Sequence, residues 1–472
     1  MALVPVPGSE LTADPVAVER LIAVAVPPPV LVLLKALWAS GQAAYVVGGS
    51  IRDVVLGRVP VDWDLATDAR PERVQALFPG AVYENRFGTV AVRASDDLVV
   101  EITTFRVDHE YADFRRPHRI EFGDTIQADL ARRDFTVNAM AWGAVAGGPA
   151  PGERPGLVDP HRGYADTVAG VLRAVGDPRT RFEEDALRMI RAVRLAATLG
   201  FGVEAATLAG IQARSSLVAH LSGERIATEL DKLLAAPVPS IGMRLLSDTD
   251  LLAPISPDLS AQRGIAQNKV PGENLWDHTL RAVDAARADR PIVRLAALLH
   301  DIGKPATLAD GHFIGHDTVG AELAGAFLDR LRSPRPVRER VVHLVRQHMF
   351  SYESNWSDAA VRRFILKIGH ESVEELFELR AADNIGSGLP AGAGHLGELR
   401  DRVRSELTAE AVLDLHGLAI DGSDLIDELG MSPGPTLGRV LNDLLERVIV
   451  DPALNDRPTL LLLAQASQAE GE

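Results

Sequence analysis

The 472-residue sequence contains no cysteine. Disulfides, thiolate metal sites and cysteine nucleophiles are excluded, and a reducing cytosol is the simple expectation. Positive charge is in deficit. Forty-nine Lys and Arg against 65 Asp and Glu leave a formal net charge of −16. A globally basic nucleic-acid coat is therefore ruled out, and a polyanion must be met by local basic patches or through metal ions. A long uninterrupted apolar run is also missing. The stretch LIAVAVPPPVLVLL (21–34) is broken by Pro27, Pro28 and Pro29 and is too short to span a bilayer. No Lys or Arg precedes Arg20, so the positive n-region of a signal peptide is absent. The expectation is a cytoplasmic protein with no membrane partner.

What is present is ordinary for a globular chain: 46% hydrophobic and 24% charged residues. At roughly 100–200 residues per domain, two to four domains are expected. Residues 1–30 are Pro- and Val-rich without clear period and read as a loose lead-in. Residues 31–180 read as a mixed head: a helix ended by Gly41, an apolar strand AAYVV (43–47), and strand candidates at 61–67, 88–94 and 98–105. From 181 the pattern turns helical. Breaks rich in Pro and Gly suggest further divisions at 181–240, 270–390 and 391–472. No solenoid-type repeat is present.

Chemistry concentrates first in GGSIRD (48–53) and DWD (62–64). Gly48 and Gly49 stand between a strand and a short helix, where a backbone can approach a phosphate closely. Arg52 would add a charged fork. A plain turn reads the same way. Asp62 and Asp64 flank Trp63, and residues i and i+2 of a strand share a face, so the carboxylates converge. Such a pair suits Mg²⁺, which commonly takes one or two carboxylates plus substrate phosphates. The alternative is a solvated strand edge. Glu101, in the apolar run VEITTF, is a candidate third carboxylate or else an arginine partner.

A helix is expected over EDALRMIRAVR (184–194), with Asp185, Arg188, Arg191 and Arg194 at three-residue steps. An aspartate and an arginine one turn apart can form a flat edge. It accepts from the amino group of cytosine or adenine and donates to the adjacent ring acceptor; guanine and uracil do not fit it. An ordinary surface ion pair has the same spacing.

Together, the glycine pair, arginine and Asp-X-Asp resemble the DNA polymerase β-like nucleotidyltransferase superfamily. With RRDFTVNAM (132–140), they are similar to the class II tRNA nucleotidyltransferase and bacterial poly(A) polymerase family. RFEEDALRMIRAVRLAATLGF resembles that family's nucleotide-reading motif. The resemblance implies an α+β fold: a nucleotidyltransferase head with a small mixed sheet, then a helical neck, a further helical domain and a helical tail. It implies nucleotide contacts by Arg133, with Asp134 beside it, base contacts by Asp185 and Arg188, and supporting roles for Arg191 and Arg194. It also implies a switching loop at 105–124.

Further on, HDIGK (300–304) ends an apolar helix. His300 and Asp301 with His278 and Asp383 resemble the ligand set of HD metal-dependent phosphohydrolases, with Lys304 as a phosphate partner. His316, His343 and His348 lie between, as second-metal ligands or structural histidines. The tail segment 422–448 also resembles the family. Residues 391–472 hold six arginines against fifteen Asp and Glu. RNA affinity must then rest on a few placed contacts, and folded tRNA fits better than arbitrary single strands.

The expected activity is template-independent addition or repair of the tRNA 3′-CCA end from CTP and ATP. Mg²⁺ would serve transfer, and a second divalent metal would sit in the HD domain. A poly(A) polymerase shares the head motifs, but its basic stretch after the metal strand is missing: VYENRFGTVAV (82–92) has only Arg86. An enzyme adding only CC or only A, and an HD phosphohydrolase with an RNA-binding head, are the other readings.

Overall fold

The computed structural model describes residues 15–85, 88–111, 117–267, 269–408 and 415–470. Arg86 lies outside them. The chain forms two compact units, residues 1–233 with 241–255, and residues 234–240 with 256–472.

The first unit is built on a seven-stranded mixed sheet. Its strands are β1 (Ala44–Val47), β2 (Asp64–Thr67), β3 (Val82–Asn85), β4 (Thr89–Ser95), β5 (Leu98–Thr104), β8 (Ala141–Ala144) and β9 (Gly156–Val158), in the order β3-β4-β5-β2-β1-β8-β9. The β2–β5 pair is parallel and the others are antiparallel. Strands β6 (Arg106–Tyr111) and β7 (Pro117–Phe122) form a separate antiparallel ribbon over the described part of 105–124. The strand expected over 61–67 begins only at Asp64. Alternation nonetheless extends back, because Trp63 is buried while Asp62 and Asp64 are open.

The lead-in expectation for residues 1–30 is corrected over its described part. Pro15–Ala25 and Pro28–Ala39 are helices, and the Pro27–Pro28 step marks the break between them. Val18, Ile22, Val26, Val30 and Leu34 are buried in the same core as Val46, Leu65, Ile102 and Trp142. Each fully buried aliphatic side chain contributes roughly 1.5–3 kcal/mol. The apolar run 21–34 is thus core. Among the described residues no single helix is long and apolar enough to cross a membrane, and only this bent pair passes by length and composition.

The expected boundary at 240 falls inside helix Pro239–Asp248. Met243 and Leu246 on that helix are buried, and they continue the apolar pattern past the Pro-rich break.

The second unit is helical. The helices Leu275–Ala285, Pro291–Leu299, His316–Arg330, Arg335–Gln347 and Val373–Gly386 surround the histidine cluster. Arg294, 3% exposed, donates to the carbonyls of Ala236 and Leu234 and through Nε to Ala286, which ties residues 234–240 to this unit. Helices Gly422–Leu429, Pro435–Val450 and Arg457–Glu470 close on Leu425, Leu444, Val448, Ile449 and Leu460.

Candidate active site and metal centre

One cavity of about 640 Å³ in the first unit gathers Gly48, Gly49, Arg52, Asp62, Asp64, Glu101, Arg133, Asp134, Asp185, Arg188, Arg191 and Arg194. The sheet brings the carboxylates together. Strand β2 runs parallel to β5 with Asp64 in register with Glu101, and Asp62 lies two residues before Asp64. Asp64 is open to the cavity yet crowded by protein. That crowding pushes its carboxyl up, Asp62 adds to the rise, and Arg133 and Arg191 oppose it. A cation between the carboxylates would relieve this strain, so the donor set fits a divalent ion.

Gly48 has φ +84°, and a side chain there would meet the Arg133 Nη1 at 3.1 Å. Only glycine holds this turn without strain and keeps the guanidinium close. Arg52 donates to Asp53 Oδ1 at 2.9 and 2.8 Å and to Asn138 Oδ1 at 2.6 Å. Arg133 donates to Asp129 Oδ2 at 3.2 Å and to the Asn138 carbonyl at 3.4 Å. Asp129 is 1% exposed and also accepts from Arg132 at 2.6 Å. Burial opposes its ionisation, but the two arginines hold it below the usual carboxylate range.

Residue 185 departs from the helical expectation. Asp185 has φ −148° and ψ +105°, in the break between helices Pro178–Glu184 and Leu187–Leu199. Its Oδ1 accepts from the Leu187 amide at 3.0 Å and satisfies an otherwise free donor of the second helix. Arg188 stands in that helix's first turn. It donates to Glu184 Oε2 at 2.5 Å and to the Arg132 carbonyl at 2.9 Å. Arg191 pairs with Asp134 at 2.7 Å, and Arg194 with Glu229 at 2.6 Å. Asp134 also accepts from the Phe135 amide and from Asn138 Nδ2. Despite burial, Arg191 and Arg188 hold its carboxyl below the ordinary value. Asp134 therefore braces Arg191 at the cavity wall.

Asp53, Asp129, Asn138, Glu184, Arg225 and Glu229 escaped sequence reasoning. Asn138 lay within RRDFTVNAM, and Asp129 stands three and four residues before the arginine pair. Arg225 and Glu229 carried no local signal.

In the second unit, His278 and His300 bring their Nε2 atoms within 3.1 Å, and each lies 3.2 Å from Asp301 Oδ2. Asp383 Oδ1 is 3.4 Å from His278. His316 and His348 approach the other Asp301 oxygen at 3.5 and 3.7 Å. Two groups that could hold metal thus share Asp301: His278 with His300, and His316 with His348. The Nδ1 atoms of His300, His316 and His348 lie 2.6–2.8 Å from the carbonyls three residues earlier. Those contacts fix the tautomer that aims an Nε2 lone pair at the cluster. The His316 and His348 Nε2 atoms are buried with no hydrogen-bond partner among the described residues. These orphaned acceptors fit a metal. His343 instead lies with Nε2 2.7 Å from the Ile368 carbonyl, outside the cluster.

Burial and the neighbouring His300 push the His348 imidazole down to about 4. Asp301 is held well below the usual range by His300 and Lys304, against its burial. Lys304 Nζ lies 2.6 Å from Asp301 Oδ2. Gly303 makes the approach possible, since a Cβ there would sit 2.3 Å from the His316 carbonyl oxygen.

Comparison with known proteins agrees in arrangement. Residues 44–173 match the poly A polymerase head domain, 200–263 a probable RNA and SrmB-binding site of polymerase A, and 273–386 the HD domain. A CCA-adding enzyme of Geobacillus kaustophilus is 32% identical over 434 residues, 90% of this chain and 93% of the relative. One of Streptococcus pyogenes is 32% identical over 442 residues, 92% and 94% of the two chains. The structure of a Bacillus stearothermophilus CCA-adding enzyme in complex with CTP superimposes with a TM-score of 0.70 at 27% identity, covering 94% of this chain and 99% of that one. With this identity sustained along nearly the whole of both chains, the protein belongs to the CCA-adding enzyme family.

Proposed function

We propose that this chain adds or repairs the 3′-terminal CCA of tRNA, taking CTP and ATP without a nucleic-acid template and releasing pyrophosphate. The observation that carries the reading is one cavity lined by the carboxylates Asp62, Asp64 and Glu101, by Arg52 and Arg133, and by Asp185 with Arg188. Asp62 and Asp64, with Glu101 beside them, would hold Mg²⁺. When bound, the ion lowers the pKa of the RNA 3′ hydroxyl and neutralises the pyrophosphate. Gly48, Gly49, Arg52 and Arg133 hold the triphosphate. Asp185 accepts from the exocyclic amino group, and Arg188 donates to the ring nitrogen beside it. Arg191 and Arg194 keep the wall positive. Catalysis is positioning and charge stabilisation. In this assignment the head runs to 180 and takes in the helices from Pro15, the neck runs from 181 past 240 through helix Pro239–Asp248, the HD domain spans 270–390 and the tail 391–472. The cytoplasm, where tRNA and triphosphates meet, is the assigned compartment.

The buried histidine cluster favours a second chemistry. His278, His300, Asp301 and Asp383 would hold one divalent metal, and His316 and His348, through Asp301, would favour a second. With Lys304 beside it, the centre suits hydrolysis of a phosphoester.

A tRNA transcript lacking CCA, incubated with ATP alone, separates the main reading from a poly(A) polymerase. The CCA reading expects no A ladder with ATP alone, and a single A after two C once CTP is supplied; a long ladder with ATP alone refutes it.

A further inference from the structure

Three cations stand around Asp301 and Asp383, and they are placed differently. Lys304 is 6% exposed, with Nζ 2.6 Å from Asp301 Oδ2. Arg380 Nη1 donates to Asp383 Oδ2 and to the His348 carbonyl, both at 3.4 Å, and Nη2 donates to the Phe350 carbonyl at 3.1 Å. Both hold the protein's own groups. Lys269 comes from elsewhere in the chain, the loop ahead of helix Leu275–Ala285, where no motif marks it. Its side chain is 42% exposed, and Nζ lies 3.9 Å from Asp383 Oδ1. That oxygen is the one 3.4 Å from His278 Nε2, on the side of the imidazoles.

The loop is seated rather than loose. The Leu275 N–H donates to the Ile265 carbonyl at 2.8 Å and joins its feet. Val270 lies against Gly388, where φ is +75° and a Cβ would meet Val270 Cγ2 at 2.9 Å. Lys269 Nζ donates to Ser387 Oγ at 2.9 Å, and Ser387 in turn donates to Asp383 Oδ1 at 3.4 Å. An ammonium carries three donors. Ser387 takes one, and Asp383 at 3.9 Å is beyond hydrogen-bond reach.

We propose that Lys269 is a substrate-binding residue of the histidine–aspartate centre: from the solvent side it donates to an oxygen of a phosphoryl group that enters the cluster. The proposal rests on the phosphoester reading of the same cluster. Charge supports it as distance does. Lys304 and Lys269 match Asp301 and Asp383, and imidazoles are neutral when they hold metal. A divalent ion therefore adds positive charge that these residues do not offset, and an anion balances it. Lys304 is buried against Asp301, whereas Lys269 reaches both solvent and a ligand oxygen.

The test is calorimetric titration of inorganic phosphate into the full chain loaded with Mn²⁺, for wild type, Lys269→Ala and Lys269→Arg. Asp301→Ala, which lacks the shared ligand, gives the background from phosphate bound in the cavity of the other unit. Lys269→Ala should weaken the remaining binding by at least about tenfold. Its Mn²⁺ content, by elemental analysis, and its melting temperature should not change. Lys269→Arg, which keeps the charge, should recover part of the affinity. The KM for p-nitrophenyl phosphate should rise in parallel, while kcat changes by less than about threefold. Three results would overturn the assignment. Equal phosphate affinity in wild type and Lys269→Ala would make Lys269 a surface ion pair. Phosphate lost together with Mn²⁺ would make it a brace for Asp383. Tighter phosphate binding would make it a latch over the centre. A wild type that binds no phosphate above the Asp301→Ala background overturns both the inference and the reading beneath it. A wild type that binds phosphate there but hydrolyses no p-nitrophenyl phosphate overturns the phosphoester reading alone, provided Lys269→Ala still loses the binding.

Discussion

Asp129 shows how much of the site depends on one buried carboxylate that meets no substrate. It anchors Arg132 and Arg133 from a position 1% exposed, and Arg133 acts on the Asp64 carboxylate across the cavity. Removing the charge leaves two arginines short of a partner, at a cost of about 3 kcal/mol. The native carboxyl is held below its ordinary value, so its stabilisation is full above the unfolded value of about 3.9 and fades as pH falls toward the native one. Asp129→Asn should therefore lower the melting temperature at neutral pH, and its deficit against wild type should shrink on acidification below about pH 4. Thermal unfolding across pH checks this; a deficit constant with pH would contradict it. The Asp62/Asp64 pair was readable because strand alternation is local: two carboxylates flanking a buried tryptophan need no distant information. Arg225 was not, because its partner, Asp185, lies 40 residues away and only the packed helices bring them together.

At the scale of elements, close approaches decide where side chains point. The segment His300–Lys304 packs against helix His316–Arg330 through Gly303, where a Cβ would lie 2.3 Å from the His316 carbonyl and 2.5 Å from the Gly320 nitrogen. Gly303→Ala must push those backbones apart, at about 1–3 kcal/mol, and draw His316 away from Asp301. The expected result is a loss of bound divalent metal, read by elemental analysis of dialysed protein, with nucleotide transfer retained; unchanged metal content would contradict the packing argument. Periodicity found the strands around Thr89–Ser95 and Leu98–Thr104, since alternating burial writes itself into the residues. It missed helix Pro15–Ala25, whose apolar content was nearly continuous and hid the buried face. It also ran one helix through Asp185, because the extended backbone there is stabilised by a side-chain contact that periodicity does not register.

Across the whole molecule, the two carboxylate-centred sites use different residues in different units. They should be separable. Asp64→Ala should cut nucleotide transfer by more than about a hundredfold and leave divalent metal in the histidine cluster. Asp301→Ala should empty the cluster and leave transfer intact. Loss of both properties in either variant would contradict independent sites. His278, His300, Asp301 and Asp383 were named as a ligand set through their resemblance to the HD order, and the fold gathers them in one cluster. The Asp301-sharing geometry needed the fold. The net charge of −16 leaves RNA binding to local arginines, so its affinity should fall steeply with salt.

The most direct measurement is incorporation onto a tRNA transcript lacking CCA, with all four nucleoside triphosphates and Mg²⁺, read at single-nucleotide resolution. Two C residues, then one A, then a stop is the predicted product. A product containing U or G, or one that keeps growing past the third addition, would contradict a site that reads cytosine and adenine through Asp185 and Arg188.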